Sequence, residues 1–552
     1  MNKQIIKHLV SGLAAVMVFA LTSCSKGVDM GKYIPKDAAV VLDVDMNELW
    51  NKADLNNIDD ISFVKLARQE LRSENPWAAD LIDAILKDPT STGLHLKRDV
   101  AIWFGFGEED FDGALIATMH NKKKFEEFLN NFVKENDMTI NFEDKDKWRI
   151  ATTQNEFAVE EFIMFNDEVA VLAFDGKGVD RIANLKKDET LAGDKRFREY
   201  WKDRSEISTW VSMGSILDIA ERSGQDVKGM MGQIYGEEYW NAIEQASIAG
   251  NVVFDKGVMR MVFTYQGINS KVFDKYMQKF NGNIVDYMPE NTYAVLAAAY
   301  NLQETMKALE ADEDLGIDLD EEVMEGVTIR DLVSAFGGSM LFNLFDLEVS
   351  ETGSVMPMMA LALDINNNAD IVKKLLEEWG MQKVGENVYV LDMEGLLKFS
   401  IYVALNDKVI FATNSNAALD NFMKGANKNA LKSVAKKVKA GNYFYADLDI
   451  NHYPDGVKAM LPENIVSLLG KYMDYTEVLT NGTKSGEWDF YIKDKKQNSL
   501  LATLHFVDDN LIELGNLASS IGGGSDYLEE TDTLYVDDDF VWEDEDEDIH
   551  IQ

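Results

Sequence analysis

The chain has 552 residues, of which 46% are hydrophobic, enough to bury one or more large cores. Its 54 Lys and Arg stand against 96 Asp and Glu, a formal net charge of −42. Such a surface repels phosphate backbones, so we expect no nucleic-acid partner. Cys24 is the only cysteine, which excludes an intramolecular disulfide, a thiolate metal cluster and a cysteine nucleophile in the folded body.

The first residues have the pattern of a secretory leader. Lys3 and Lys7 form a short basic start, and Leu9–Leu21 is an apolar run too short to span a bilayer. The sequence Leu-Thr-Ser-Cys then ends at Cys24 and resembles a bacterial lipobox. We therefore predict a lipoprotein signal peptide over residues 1–23 and lipidation of Cys24.

Residues 24–32 are predicted to be a lipidated tether that fixes the protein to a membrane. Two or three acyl chains give durable attachment, whereas one chain binds only marginally. Ser25 follows the lipidated cysteine, which favours the outer membrane over the inner one. Residues 25–29 lack the acidic run of a surface-export signal, so we expect the periplasmic face, with surface exposure as the alternative.

A repeat organises the rest of the chain. The stretch Tyr33–Leu49 returns 254 positions later as Tyr287–Gln303, and each copy consists of a rigid proline, an apolar strand and a helix start. This pattern predicts two duplicated halves, over residues 33–286 and 287–521. The matching residues are Tyr33, Pro35, Val41, Leu42 and Asn47 in the first copy and Tyr287, Pro289, Val295, Leu296 and Asn301 in the second.

In the first half, strand patterns alternate with helices. One helix has Phe125, Phe128, Leu129, Phe132 and Val133 on a single apolar face, with Asn121 as its N-cap. Core packing is the ordinary role of such a stripe, and lining a ligand cavity is the alternative. Strands are predicted at 38–44, 94–104, 114–119, 148–153, 157–165, 169–174, 207–213, 248–254 and 258–265, and helices at 46–53, 63–71, 77–86, 179–185, 216–220 and 272–280.

The second half repeats these landmarks in the same order. Asn406-Asp407 repeats the bend at Asn166-Asp167, and Trp488–Ile492 with Leu500–Phe506 is predicted to be the last hairpin, before a closing helix over Leu511–Ile521. Hairpins alternating with single helices indicate an α+β fold in which helices cover antiparallel sheets. We expect a groove between the two halves, where a ligand could bind.

A Gly-rich joint begins at residue 522, and the tail beyond it, 526–552, contains 13 acidic residues and no Lys or Arg. Charge repulsion predicts that this tail is disordered. Tyr535, Phe540 and Trp542 could serve as anchors for docking to a basic groove of a protein partner. A solvated tail without a partner and weak Ca²⁺ collection are the alternatives.

No familiar catalytic motif occurs, and we predict no catalytic residue, no metal site and no cofactor. The six histidines have no ligand spacing, and two Ser-x-x-Lys matches lack companion motifs. The acidic stretch Glu310–Glu321 departs from a calcium loop in its glycine position and first residue. Asp43 and Asp45 share one strand face, and we interpret them as a solvated strand end because the second copy has Ala297 and Ala299.

The lipobox, the short tether and the Ile-Pro-x-Asp-Ala-x-Val-Val pattern from Ile34 resemble an uncharacterised family of Bacteroidetes lipoproteins, a domain of unknown function of the DUF4836 type. That resemblance implies no catalytic residues. The leading hypothesis is a non-enzymatic, lipid-anchored cell-envelope protein that binds a partner or acts as a scaffold. The alternatives are a carrier of a hydrophobic ligand held between the halves and a hydrolase with an unrecognised carboxylate site.

Overall fold

A computed structural model describes residues 28–514, except 107–110, 155–159, 223–225, 228–236, 311–317, 351–352, 367, 394–398 and 482–483. Helices and antiparallel strands alternate along the chain, so the predicted α+β class is confirmed. Every pairing between described strands is antiparallel, as expected for a fold built from hairpins.

The first half provides ten strands and nine helices among the described residues. The strands are β1 Val40–Val44, β2 Val100–Phe106, β3 Phe111–Thr118, β4 Thr139–Lys145, β5 Trp148–Gln154, β6 Glu160–Phe165, β7 Val169–Ala173, β8 Ile207–Ser212, β9 Ser247–Asp255 and β10 Val258–Gln266. The helices are α1 Met46–Lys52, α2 Ser62–Glu74, α3 Pro76–Lys87, α4 Lys122–Glu135, α5 Gly176–Asn184, α6 Lys195–Lys202, α7 Met213–Arg222, α8 Glu237–Glu244 and α9 Ser270–Asp274.

The second half adds twelve strands, two of which form a separate small hairpin, and eight helices within the described residues. The strands are β11 Ala294–Ala299, β12 Glu322–Met324, β13 Val327–Thr328, β14 Phe336–Val349, β15 Val355–Ile365, β16 Gln382–Gly385, β17 Val388–Asp392, β18 Ser400–Leu405, β19 Val409–Thr413, β20 Tyr443–Asp447, β21 Met473–Asn481 and β22 Ser485–Ile492. The helices are α10 Leu302–Glu310, α11 Ile329–Ala335, α12 Ala369–Glu378, α13 Asn416–Lys424, α14 Ala435–Ala440, α15 Asp455–Lys458, α16 Glu463–Tyr472 and α17 Ser499–Asp509.

All strands except β12 and β13 join into one sheet of twenty strands. Its order is β4-β5-β6-β7-β3-β2-β1-β8-β9-β10-β22-β21-β20-β11-β14-β15-β19-β18-β17-β16. The two halves have the same topology. From the edge β4 to β10, and from the edge β16 to β22, corresponding strands occur in the same order. The halves meet where β10 pairs with β22, so the expected groove between two packed halves is replaced by a continuous hydrogen-bonded sheet.

Local capping explains why several elements begin where the sequence predicts. The Asn121 side chain accepts hydrogen bonds from the backbone of Lys123 and Lys124, both at 3.1 Å, which confirms it as the N-cap of α4. Asn166 closes the β6–β7 bend by accepting from the backbone N–H of Val169 at 2.9 Å. Asn406 makes the same 2.9 Å bond with Val409, so the two bends have the same chemistry.

The structure of three predicted segments differs from the prediction. Met30–Tyr33 forms a 3₁₀ turn with Met30 fully buried, so the predicted tether gives way to packed chain before residue 32. Leu500–Phe506 was predicted to be a strand and lies in α17, because a short apolar run has no clear period and the Asn498 side chain caps a helix there. The last hairpin is instead β21–β22. The predicted helix over 272–280 is limited to α9, which ends at Asp274.

One face of the sheet is covered by helices in both halves. In the first half, α5 and α6 place Val179, Ile182 and Phe197 over strand residues such as Val41 and Trp210. In the second half, α13 and α14 place Phe422 and Val438 over Val295 and Phe411. These two apolar cores lie on the same side of the sheet, because paired residues of antiparallel strands point to the same face.

Asp43 does not lie at a solvated strand end as predicted, because it is fully buried beneath α6. Arg204 Nη1 donates to Asp43 Oδ2 at 2.9 Å, and its Nη2 lies 3.0 Å from Asp99. The buried carboxyl of Asp43 and the partly buried carboxyl of Asp99 thus share one guanidinium. Asp43 Oδ1 has no hydrogen-bond partner among the described residues. Burial outweighs the attraction of Arg204 and raises the pKa of Asp43 from 3.8 to about 8.

A second set of buried charges lies at the centre of the sheet, where the two halves meet. Arg260 on β10 donates to both carboxylate oxygens of Asp489 on β22, at 2.9 and 3.2 Å. Glu477 on β21 lies directly across from Asp489 and accepts from the Tyr443 hydroxyl at 2.6 Å. The Tyr491 hydroxyl lies between the two carboxylates, 3.1 Å from Glu477 Oε1 and 3.0 Å from Asp489 Oδ2, and its single O–H is shared between them. This network connects β10, β22, β21 and β20 through side chains as well as backbone.

Asp43→Asn should change how stability depends on pH. The raised pKa means that folded protein holds a proton which the unfolded chain releases above pH 4, so this carboxyl stabilises the fold most below pH 4 and the effect is lost as the pH rises towards 8. Between pH 4 and pH 8, the unfolding free energy of the wild type should fall by about 1.4 kcal/mol per pH unit relative to that of the variant. Urea unfolding across that range measures this, and the fully exposed Asp455→Asn is the control. Parallel curves for wild type and Asp43→Asn would contradict the buried, protonated Asp43.

Arg260→Met should destabilise the protein because Asp489, which is 3% exposed, loses its cation while remaining buried. We expect a loss of about 3 kcal/mol in unfolding free energy, since breaking a buried pair leaves an uncompensated charge. Arg330→Met removes an arginine from the exposed carboxylates Glu310 and Asp320 and should leave the urea midpoint nearly unchanged. Equal midpoints for both variants would show that the Arg260 network does not hold the two halves together.

Candidate functional site

A row of apolar side chains crosses the centre of the sheet on the face opposite the two cores. Each residue of the row is paired directly with the next, so all ten side chains point to the same side. We name this set the central apolar row. It comprises Val44, Ile207, Val252, Met261, Trp488, Val478, Phe444, Leu296, Phe342 and Leu361.

None of the ten side chains in the central apolar row is buried. Trp488 is 39% exposed and Leu296 is 42% exposed, although both lie on interior strands. An interior strand of a large sheet normally buries its apolar face against another layer. Here α17 contacts β9 and β10, yet all ten residues keep part of their surface exposed, so a strip of apolar surface remains accessible to solvent.

The same row continues at both ends beneath helices, which form walls. Beyond Val44 it passes through Ala117 and Phe165, which pack under α4. Beyond Leu361 it passes through Val403 and Tyr389, which pack under α12. The open part is therefore the floor of a trough whose walls are α4 on one side and α12 on the other. We name it the central trough.

A second row of eight residues lies beside the first on the floor of the trough. Its one polar member, Thr476, is buried, donates to the carbonyl of Asp489 at 3.0 Å and accepts from the indole N–H of Trp488 at 2.8 Å. The polar atoms of both side chains are thus satisfied within the protein, and the Trp488 ring offers only hydrocarbon to the trough. The row comprises Phe254, Met259, Phe490, Thr476, Ala446, Ala294, Leu344 and Met359.

The strands of the trough have an inverted pattern of burial. On β22, Asp489 is 3% exposed on the helix-covered side, whereas Trp488 is 39% exposed on the other. On β21, Glu477 is 8% exposed while its neighbour Val478 faces the trough. Ordinary folds bury the apolar side chain and expose the acid. The inversion indicates that the apolar surface has a use that keeps it accessible.

A second depression, with a volume of about 1340 Å³, lies in the first half between α5, α6, α7 and α8. Its lining is acidic, and the arginines it contains are already paired: Arg181 with Asp112 at 2.7 Å and Arg196 with Asp194 at 2.8 Å. Its open, solvated shape and internally paired charges make it a weaker candidate than the trough.

The site residues predicted from sequence are not brought into this trough. Cys24 and the tail residues Tyr535, Phe540 and Trp542 lie outside the described residues. The calcium-like stretch is described only in part, and there Glu310 and Asp320 both pair with Arg330. In the portion of the chain that is described, no three acidic, histidine or cysteine side chains are placed to hold a metal ion. Nor does any helix there have the length and hydrophobicity needed to cross a membrane.

Sequence reasoning missed the trough, although its strands carry a recognisable signal. In β10, Met259, Met261 and Phe263 alternate with Arg260 and Val262, a strict two-residue period with a charge on one face. The usual inference is that the apolar side faces the core. The pairing register together with the exposure of residues such as Trp488 shows that the apolar side is the open one.

Two solved structures align with part of the chain. They are crystal forms III and I of TP0453, each 10% identical, covering 47% of this chain and 90% of their own, with TM-scores of 0.23 and 0.21. Similarity at this level carries no argument about function. No curated protein matches the chain.

A family match covers most of the folded chain. The domain of unknown function DUF4836 matches residues 31–500, a span that includes the whole twenty-stranded sheet and both walls of the trough. This confirms the resemblance to DUF4836 seen at the proline-led strand, whereas the lipobox lies before the matched residues. The chain therefore belongs to the DUF4836 family, a family of unknown function.

Proposed function

We propose that this protein is a lipid-anchored, non-enzymatic binding protein of the cell envelope that holds an apolar partner in the central trough. The observation that carries the proposal is the central apolar row, ten directly paired apolar residues of which none is buried. Contiguous apolar surface on a soluble domain marks a binding site more often than a packing fault.

The energetics favour binding over an empty trough. Burying apolar surface stabilises a complex by about 25 cal/mol per Å². The floor includes large side chains, of which Trp488 is exposed and Phe444 and Phe342 are partly exposed. Aromatic residues of this kind provide most of the binding energy in many interfaces. The rigid charge network behind them keeps the floor pre-formed, so little ordering free energy is lost on binding.

The anchoring part of the proposal depends on the leader and Cys24. A cysteine lipidated at this position would attach the chain to the outer membrane, on its periplasmic face. From Val28 onward the chain packs against the first core, leaving only a few residues as a spacer. The acidic tail, with Tyr535, Phe540 and Trp542, extends the proposal to a second, protein partner with a basic groove.

A charge placed on the trough floor should weaken the binding of an apolar probe. We expect Leu296→Glu to reduce Nile red binding several-fold, because the new carboxylate must lose water when an uncharged ligand covers it. Leu296 is 42% exposed, so the free protein can accommodate the charge at little cost. Fluorescence titration of the mature chain measures the affinity.

Val384→Glu is the matched control for this experiment. Val384 is a 59% exposed apolar residue on β16, at the outer edge of the sheet and away from the trough. The Val384→Glu variant should bind Nile red with the same affinity as the wild type. If both variants bound the dye equally well, the trough would not be the binding surface and the proposal would be wrong.

Cys24→Ala should release the protein from the membrane. Without the thiol, no acyl chain can be attached, and the protein should move from the outer-membrane fraction to the soluble periplasmic fraction. Fractionation followed by immunoblotting measures this, with Ser25→Ala as a control that keeps the lipidated residue. A Cys24→Ala protein that stayed in the membrane fraction would contradict lipid anchoring.

A further inference from the structure

We propose that the partner held in the central trough is the hydrocarbon of individual lipid molecules with uncharged or zwitterionic head groups. This inference rests on the proposed function and names the ligand class of that same site. Three properties of the protein favour such a ligand: the chemistry of the floor, the helices at its ends and the net charge of the chain.

The central apolar row offers no free hydrogen-bonding group to a ligand. All ten side chains of the central apolar row are hydrocarbon, apart from the indole N–H of Trp488 and the thioether of Met261. That N–H already donates to Thr476 at 2.8 Å. A ligand that lies along this row gains from hydrocarbon contact, because the row itself presents no unsatisfied donor or acceptor.

The strands of the floor also exclude recognition by strand addition. Every one of them, from β1 to β15, is an interior strand with a hydrogen-bonded neighbour on both sides. A peptide that binds by extending a sheet needs an unpaired edge, and the sheet's edges are β4 and β16, outside the trough. This observation favours an acyl chain over an extended peptide.

The walls decide between single lipids and the surface of a bilayer. The row disappears beneath α4 at one end, where Phe165 is fully buried, and beneath α12 at the other, where Tyr389 is fully buried. A flat membrane cannot reach a floor that lies between two helical walls. A flexible chain can lie along the floor between them.

The trough is long enough for more than one chain. Ten strands spaced at about 4.8 Å give the open row a length of roughly 40 Å. Half of a bilayer's hydrocarbon core is about 15 Å thick, which is the reach of one acyl chain. Two chains placed end to end, or the two chains of one lipid, would cover the floor.

Charge argues against a second copy of the protein and against acidic lipids. The chain carries 96 acidic and 54 basic residues, so two copies placed face to face would repel each other. Free fatty acids and anionic phospholipids meet the same repulsion. A neutral or zwitterionic lipid has no net charge and is not repelled.

Quenching of Trp488 fluorescence by brominated phosphatidylcholine tests the inference. Bromine quenches only on close approach. Lipid chains on the floor should therefore quench the tryptophan fluorescence of the mature chain that carries Cys24→Ala and no change in the trough. Trp488→Phe should lose most of this quenching. Trp201→Phe is the control, because Trp201 is a partly exposed tryptophan on α6, on the opposite side of the sheet, and its loss should leave the quenching unchanged.

The lipid is supplied from vesicles that are then removed by centrifugation. Protein that remains in the supernatant with its fluorescence quenched carries single lipid molecules, as proposed. Protein that is quenched only while it sediments with the vesicles would instead be docked on a bilayer, which would overturn the inference.

The failure of this inference can be told apart from failure of the proposed function. If no variant is quenched by the lipid while Nile red still binds in a Leu296-dependent way, the trough binds another apolar partner and the lipid assignment is wrong. If Nile red binding is also independent of Leu296, the proposed function itself is wrong. Brominated phosphatidylglycerol in place of phosphatidylcholine tests the head group, and equal quenching by both would contradict the charge argument.

Discussion

The pairing of β10 with β22 is the contact on which the rest of the structure depends. It joins the last strand of each half, so that two sets of ten strands become one sheet. The same register places Met261 beside Trp488 on one face and Arg260 beside Asp489 on the other. One set of backbone hydrogen bonds thus creates both the floor of the trough and the charge network behind it.

The charge network explains how a sheet can keep an apolar face open without collapsing onto itself. A sheet covered by helices on one side could bend to close the exposed strip. Arg260, Asp489 and Glu477 connect strands of both halves through side chains, and breaking one partner would leave a buried charge. The helices α4 and α12 cover the ends of the same face, and the central apolar row between them keeps part of its surface exposed. The charge network and the central apolar row are therefore the two faces of the same strands.

Much of the local structure could be predicted from sequence because its causes are local. The cap at Asn121 and the bends at Asn166 and Asn406 follow from side-chain hydrogen bonds within three residues. The burial of Asp43 could not be predicted, since its partner Arg204 is 161 residues away in the sequence. The α17 helix was not predicted because the apolar residues of Leu500–Phe506 show neither a helical nor a strand period. The trough was missed because alternation tells which residues share a face and not which face stays open.

The most direct test of the account is a native mass spectrum of the protein expressed in its own envelope and purified without detergent. For the mature chain with Cys24→Ala, the account predicts an extra mass of one or two lipid molecules that survives until the protein is denatured. Leu296→Glu should lose that mass. A spectrum with the bare protein mass for both forms would contradict the claim that the open face of the sheet holds lipid.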